Sequence, residues 1–193
     1  MNFRVFCLTA LALAATEPAL PETYFPAGAL AEVAATRYAR FLTAMREPSL
    51  YELSRQRPDA EAYRLLWLRS DRRPASIRFT LKPGGTGWFY RRMIGGTGST
   101  LSGGLREYGT SWSWKSRTAS FLSTIDNVGF WSMATDGSDT RDVCRSHWVL
   151  EGVRQGQYRV IDHCSPPEND PIRIIGVRAM KLGNLRVHRN QIY

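Results

Sequence analysis

Residues 146–166, SHWVLEGVRQGQYRVIDHCSP, constrain the fold more than any other stretch of the chain. Apolar-rich runs, Trp148–Val153 and Tyr158–Ile161, flank Arg154-Gln155-Gly156, as in two strands joined by a tight turn. An isolated hairpin is marginal in water, so it requires further strands or a helix against its apolar face. It carries His147, His163 and Cys164, and Cys144 lies just upstream.

Register decides which of these residues meet, because a slip of one residue exchanges the two faces of a strand. A two-residue turn on Gln155-Gly156 pairs Arg154 with Gln157, whereas a three-residue turn pairs Val153 with Gln157. The three-residue register sets Glu151 opposite Arg159 and His147 opposite His163, with Cys144 and Cys164 on one face. The two-residue register divides the cysteines between faces. A Glu151–Arg159 cross-strand pair and a Cys144–Cys164 disulfide therefore favour the three-residue turn.

The rest of the chain supplies the partners the hairpin needs. Ala62–Arg69 and Trp88–Ile94 have strand composition, and Ser76–Lys82 alternates cleanly. Pro83-Gly84-Gly85-Thr86-Gly87 is a turn between the last two, which predicts a three-stranded meander. Gly95–Gly104 reads as a glycine-rich loop; it lacks both the G-K-[ST] ending and the G-x-G-x-x-G spacing of phosphate loops. Leu105–Trp114 is a further strand. It sets Trp112 and Trp114 on one face, either as a sugar-stacking platform or, the commoner arrangement, packed in the core against a helix.

Helical spacing appears in three places. Leu30, Val33, Ala34, Tyr38, Phe41, Leu42 and Met45 form one apolar stripe over Gly28–Arg46, ended by Pro48. Ser116–Val128 carries Phe121, Leu122 and Ile125, with Ser116 or Thr118 as cap and Gly129 as stop. Ile172–Leu182 reads as a short C-terminal helix, and Leu50–Gln56 as a further short one. The prediction is one α+β domain over residues 28–193: an antiparallel sheet of about five or six strands, packed by an N-terminal, a middle and a C-terminal helix. Residues 16–27, which include three prolines, form an extended lead-in.

Residues 1–15, MNFRVFCLTALALAA, have the charged start, short apolar run and small-x-small sites of a signal peptide. The run is too short to span a membrane, and no transmembrane segment is expected in the mature chain. Cleavage removes Cys7 and leaves Cys144 and Cys164, an even pair bound for an oxidising compartment. The location expected is periplasmic or secreted. The formal net charge is +9, and cleavage removes one arginine and no acid. Such a chain is suited to an anionic envelope component or an acidic protein partner; nucleic acid is not expected outside the cell interior.

Catalytic and metal constellations are weak. There is no G-x-S-x-G nucleophile elbow. His147 and His163 lack a third ligand on their face, and Glu151, four residues from His147 along a strand, is roughly 13 Å away. No metal or other cofactor is expected. His147, Glu151 and His163 remain a titratable cluster to be tested, and Arg69, Arg72, Arg73, Arg91 and Arg92 a candidate surface for an anionic partner.

Phe130-Trp131-Ser132, Trp148-Val149-Leu150-Glu151-Gly152-Val153, Gly156, Tyr158, Val160, Ser165-Pro166 and Ile192-Tyr193, with the strand Tyr63–Leu68, carry a likeness covering most of the chain after residue 60. The chain resembles a family of small uncharacterised exported proteins of Gram-negative bacteria. The resemblance implies a class and a compartment, and no catalytic residues. The family pattern more often has an aromatic where Cys164 stands, so a disulfide would be local to this chain. The function expected is a non-catalytic binding or interaction module. The alternatives are a hydrolase of envelope polymers or small molecules, using His163 and Glu151, and a protein inhibitor or immunity protein.

Overall fold

The computed structural model describes residues 23–134, 144–187 and 192. The expected signal peptide, residues 16–22 of the lead-in and most of the polar loop over 134–142 lie outside the described residues. The elements run α1 (Glu32–Ala44), α2 (Leu50–Gln56), β1 (Ala62–Arg69), β2 (Ala75–Lys82), β3 (Thr86–Gly96), β4 (Leu101–Ser113), α3 (Lys115–Asn127), a 3-10 turn at Phe130–Ser132, β5 (Ser146–Arg154), β6 (Gln157–Cys164) and α4 (Pro171–Leu182). The strands form one antiparallel six-stranded sheet in the order β4-β3-β2-β1-β5-β6. The α+β architecture and the meander are as the sequence predicts. No described helix is long and apolar enough to cross a membrane.

β2 and β1 are the two middle strands, and β1 is buried along its whole length because both faces of the sheet are covered there. One face carries Tyr63, Leu65, Trp67, Ile77, Phe79, Phe89, Trp148 and Leu150 against Phe121 and Ile125 of α3, Phe130, and Ile172, Ile175 and Ala179 of α4. The other carries Leu66, Leu68, Ile94, Val149 and Val160 against Tyr38, Phe41, Leu42 and Met45 around α1. Strand alternation puts these two sets on opposite sides. Trp148 anchors the hairpin as expected, fully buried with its ring centroid 5.3 Å from that of Trp67.

The hairpin adopts the two-residue turn, not the expected three-residue one: Arg154 pairs with Gln157. Gln155 and Gly156 both take left-handed conformations, φ 53° and 73°, which match the twist of the flanking strands. Glu151 consequently faces Val160 across β6 and Arg159 pairs with Gly152; His147 faces Cys164 and His163 faces Trp148. The Cys144–Cys164 disulfide nevertheless forms, with Cα atoms 5.5 Å apart. Cys144 precedes the first paired residue of β5, so strand parity does not reach it. The bend there is fixed by Ser165 Oγ, which accepts from the amides of Arg145 and Ser146.

Three other expectations are corrected. Gly95–Gly104 is mostly strand: β3 runs to Gly96 and β4 starts at Leu101, with register shifts at Met93, Ile94 and Gly96. Its glycines admit close backbone approach, since a Cβ on Gly95 would overlap Ser102 O and one on Gly98 would overlap Arg69. α3 begins one residue early, with Trp114 at the N-cap; Thr118 instead bonds Ser113, and neither Ser116 nor Thr118 caps. Gly152 makes room for aromatic rings rather than for the turn, because a Cβ there would lie 2.5 Å from the Phe130 ring and 3.1 Å from that of Tyr63.

Beneath α1 and α2 lies a buried ion network. Nε and Nη2 of Arg64 (β1) stand 2.7 and 2.6 Å from Oε2 of Glu151 (β5), and both side chains are fully buried. Tyr158 donates to Glu151 at 2.9 Å. Glu47, in the α1–α2 connection, lies 2.7 Å from Arg78 Nε, 3.5 Å from Arg92 Nε and 3.7 Å from Arg64 Nη1. Burial opposes the Arg64 charge, but the Glu151 and Glu47 carboxylates more than offset it and hold its pKa above the ordinary value. Burial pushes the Glu151 carboxyl up against the pull of Arg64.

Candidate functional site: an arginine-lined cleft

β1 ends at Arg69, and the turn that follows presents Arg72 and Arg73. Arg91 and Met93 of β3 project on the same side of the sheet as Ile77 and Phe89. After α4 the chain turns at Gly183 and brings Asn184, Leu185 and Arg186 to the same place. Together with Glu107 and Val187 these residues line a cleft of about 550 Å³. Among the described residues five arginines, Arg69, Arg72, Arg73, Arg91 and Arg186, thus meet one acid.

The five are not equivalent. Arg69 is buried; its guanidinium lies 3.9 Å from the Trp67 ring centroid and donates to Arg73 O at 3.0 Å. Stacking and a backbone acceptor pre-orient it. Arg91 Nη1 donates to Gly183 O at 3.3 Å and Asn184 O at 2.5 Å, a cation at the C-terminal end of α4. Arg72 and Arg73 are about half exposed, and their ion pairs with Asp71 and Glu107 are both 3.6 Å long. Exposed pairs of that length hold side chains weakly. Arg186 is exposed. The cleft therefore has a fixed wall, Arg69 and Arg91, and an adaptable rim, Arg72, Arg73 and Arg186. Guanidinium groups in that arrangement suit a phosphate or carboxylate, each able to accept two parallel N–H bonds.

Four of the five arginines predicted from sequence, Arg69, Arg72, Arg73 and Arg91, come together here. Arg92 does not: alternation along β3 sends it to the other face, to Glu47. Arg186 and Asn184 were not legible as site residues. Their only signal was the position of Gly183 at the end of an apolar helical run, which implies a chain reversal.

The expected titratable cluster is dispersed. Glu151 is committed to Arg64. His147 joins Tyr38 and Asp162: Nδ1 is 2.9 Å from Tyr38 OH and 3.2 Å from Asp162 Oδ1, while Tyr38 donates to Asp162 Oδ2 at 2.5 Å. Burial, then the Asp162 carboxylate, pushes the Tyr38 hydroxyl far above its ordinary pKa, so it remains a donor. This cluster ties α1 to the hairpin. His163 lies on the opposite face, 2.8 Å from Asp170, which caps α4 through the amides of Ile172 and Arg173. Neither histidine lines the arginine cleft. Among the described residues no group of three or more His, Cys, Asp or Glu is placed to hold a metal ion.

No protein-family model matches the chain, and no curated protein matches it.

Proposed function

We propose that this chain is an exported, non-catalytic binding module whose arginine cleft takes a phosphate- or carboxylate-bearing envelope component. The observation that carries the reading is the convergence of Arg69, Arg72, Arg73, Arg91 and Arg186 on one cleft of about 550 Å³ in which Glu107 is the one acid among the described lining residues. The hydrolase alternative drew on His163 and Glu151 together, and the two lie on opposite faces of the sheet, which favours the binding reading. The disulfide supports export, because such bonds persist in oxidising compartments. The apolar, cleavable character of residues 1–15 supports it from the other end of the chain.

The test is cosedimentation of the mature chain with vesicles of neutral phosphatidylcholine, with vesicles containing phosphatidylglycerol, and with purified lipopolysaccharide. Binding to one anionic surface and not to the neutral one is expected, weakening as salt rises. Reversal of the rim, R72E/R73E/R186E, leaves the fold intact and lowers affinity about tenfold or more. Equal binding by wild type and the triple variant, or none by either, rejects the reading.

A further inference from the structure

Among the described residues, no helix covers one corner of the sheet face under α1 and α2. α1 reaches β3 and β4 at Ile94, Leu101 and Leu105, and α2 packs on Ala62, Val153 and Tyr158. Beyond them, Trp88 and Tyr90 of β3 pair with Trp112 and Thr110 of β4 on one side, and with Thr80 and Arg78 of β2 on the other. Tyr108 lies on the same face as Thr110 and Trp112, and Trp114 follows at the N-cap of α3. Trp88 and Trp112 stand 4.9 Å apart between ring centroids, Trp112 and Trp114 6.1 Å, each pair edge to face. None of these five aromatics belongs to a core cluster. Trp114 is 67% exposed and Tyr108 75%. The expected packing of Trp112 and Trp114 against a helix does not occur.

Two exposed aromatics beside three half-buried ones form an apolar patch of the kind that marks a binding surface. The charge around them indicates what it binds. Arg78 and Arg92 are turned inward onto Glu47, and Arg78 also stacks 4.3 Å from the Tyr90 centroid, which fixes that ring. Glu47 offsets part of their charge there, and neither guanidinium is more than a quarter exposed. Between the rings the polar groups are hydroxyls: exposed Thr110, and Thr80, whose Oγ1 accepts from Arg78 at 3.0 Å. A single-stranded nucleic acid would want cations tracking its phosphates beside the rings; here the exposed cations Lys82, Arg106 and Lys115 flank the aromatic row and do not interleave its rings.

We infer that this corner is a binding platform for a neutral hexopyranose chain. The C–H face of a pyranose ring stacks on indole or phenol, and its equatorial hydroxyls reach the threonines. From Tyr108 to Trp112 the strand spans roughly 13 Å, room for more than one sugar ring. Arg78 covers one side of Tyr90, so Trp112, Trp114 and Tyr108 make the contact. The platform lies on the opposite side of the sheet from the arginine cleft and stands independently of it.

The test is isothermal titration of the mature, disulfide-bonded chain with cellohexaose, chitohexaose and, as a charged comparison, the oligonucleotide dT12. At least one hexasaccharide is expected to bind with little dependence on salt. W112A and W114A each weaken it about tenfold, while R72E/R73E leaves it unchanged. Trp114 and Tyr108 are exposed enough that W114A and Y108A test the contact without disturbing the fold. Four results each overturn the inference: no hexasaccharide bound at millimolar concentration, binding that survives both W114A and Y108A, tighter binding of dT12, or a dimer in analytical ultracentrifugation that W114A dissociates.

Discussion

Removing Arg64 should strand the Glu151 carboxylate in the core. Its other bonding partner is the Tyr158 hydroxyl, and a charge so placed is strongly destabilising. The carboxyl has an escape, which is to take a proton. Neutralising it at pH 7 against an unfolded-state pKa near 4.3 costs about 4 kcal/mol, so that figure bounds the stranding penalty of R64M at neutral pH. In that variant the native carboxyl has a pKa raised above its unfolded value. Such a group favours the native state below the unfolded pKa, and that contribution is lost as pH rises through the folded one. The deficit of R64M relative to wild type should therefore shrink as pH falls from 7 toward 4.3, by at most about 1.4 kcal/mol per unit, because the wild-type carboxyl is itself raised to a smaller extent.

E151Q is the asymmetric counterpart. Arg64 cannot shed its charge, but it retains Pro48 O at 2.5 Å and Glu47 at 3.7 Å. Its penalty should be near the low end of the buried-pair range, about 3 kcal/mol, and should not diminish with pH in the same way. R64M/E151L, which removes both charges and fills the space, should lie within about 1 kcal/mol of wild type. Urea unfolding followed by tryptophan fluorescence at pH 7 and pH 5 measures all four proteins. A deficit for R64M that is equal at the two pH values, or a double variant as unstable as the sum of the singles, refutes the reasoning.

C144S/C164S opens a loop closed over a sequence separation of 20 residues and should lower stability by about 3 kcal/mol, seen as loss of the difference between oxidised and reduced wild type in urea. Burial would raise the Asp170 carboxyl, but the His163 bond and the amides of Ile172 and Arg173 carry it below the ordinary value. Its charge therefore stabilises the fold above the unfolded pKa near 3.9 and ceases to do so as pH falls through the folded value, so wild type and D170N should converge in acid. D170A, which also loses the cap, should be about 1 kcal/mol less stable at neutral pH. G152A should lower the thermal midpoint, at about 1–3 kcal/mol, because the added methyl meets the Phe130 ring; an unchanged midpoint would contradict that contact.

Element type was largely legible because it depends on local patterning. β1 and α2 have the expected limits, the Ser49 hydroxyl caps Glu52 N as the Ser-x-x-Glu spacing favours, and Gly129 ends α3 in the left-handed region. What was not legible is who faces whom over long separations. Glu151 has its ion-pair partner 87 residues away on β1, inside a run that reads as apolar. No local signal couples Arg64 to it, so a nearer arginine, Arg159, looked like the natural partner and selected the wrong turn. Tyr38 and Asp162 are likewise joined only by the docking of α1 on the sheet. The arginine cleft was partly readable because Arg69, Arg72 and Arg73 are neighbours in sequence; Arg186 depends on how α4 ends.

Arg91 and Arg92 show why the basic composition has to be read face by face. Adjacent in β3, they project to opposite sides of the sheet. On one side the connection between α1 and α2 brings Glu47 down onto Arg78 and Arg92, which turns both guanidinium groups inward and offsets part of their charge. That inward pairing leaves the neighbouring corner aromatic and hydroxyl-rich, with its exposed cations at the margins. On the other side no comparable buried carboxylate meets the arginine cluster among the described residues; Glu107, half exposed, is the acid lining the cleft. One buried glutamate thus sorts the chain's excess charge between two surfaces of different chemistry. E47Q gives a way to test the sorting: with the fold retained, it should make the aromatic corner more attractive to dT12 while leaving anion binding at the cleft unchanged. If instead both surfaces respond alike, the two faces are not electrostatically separate.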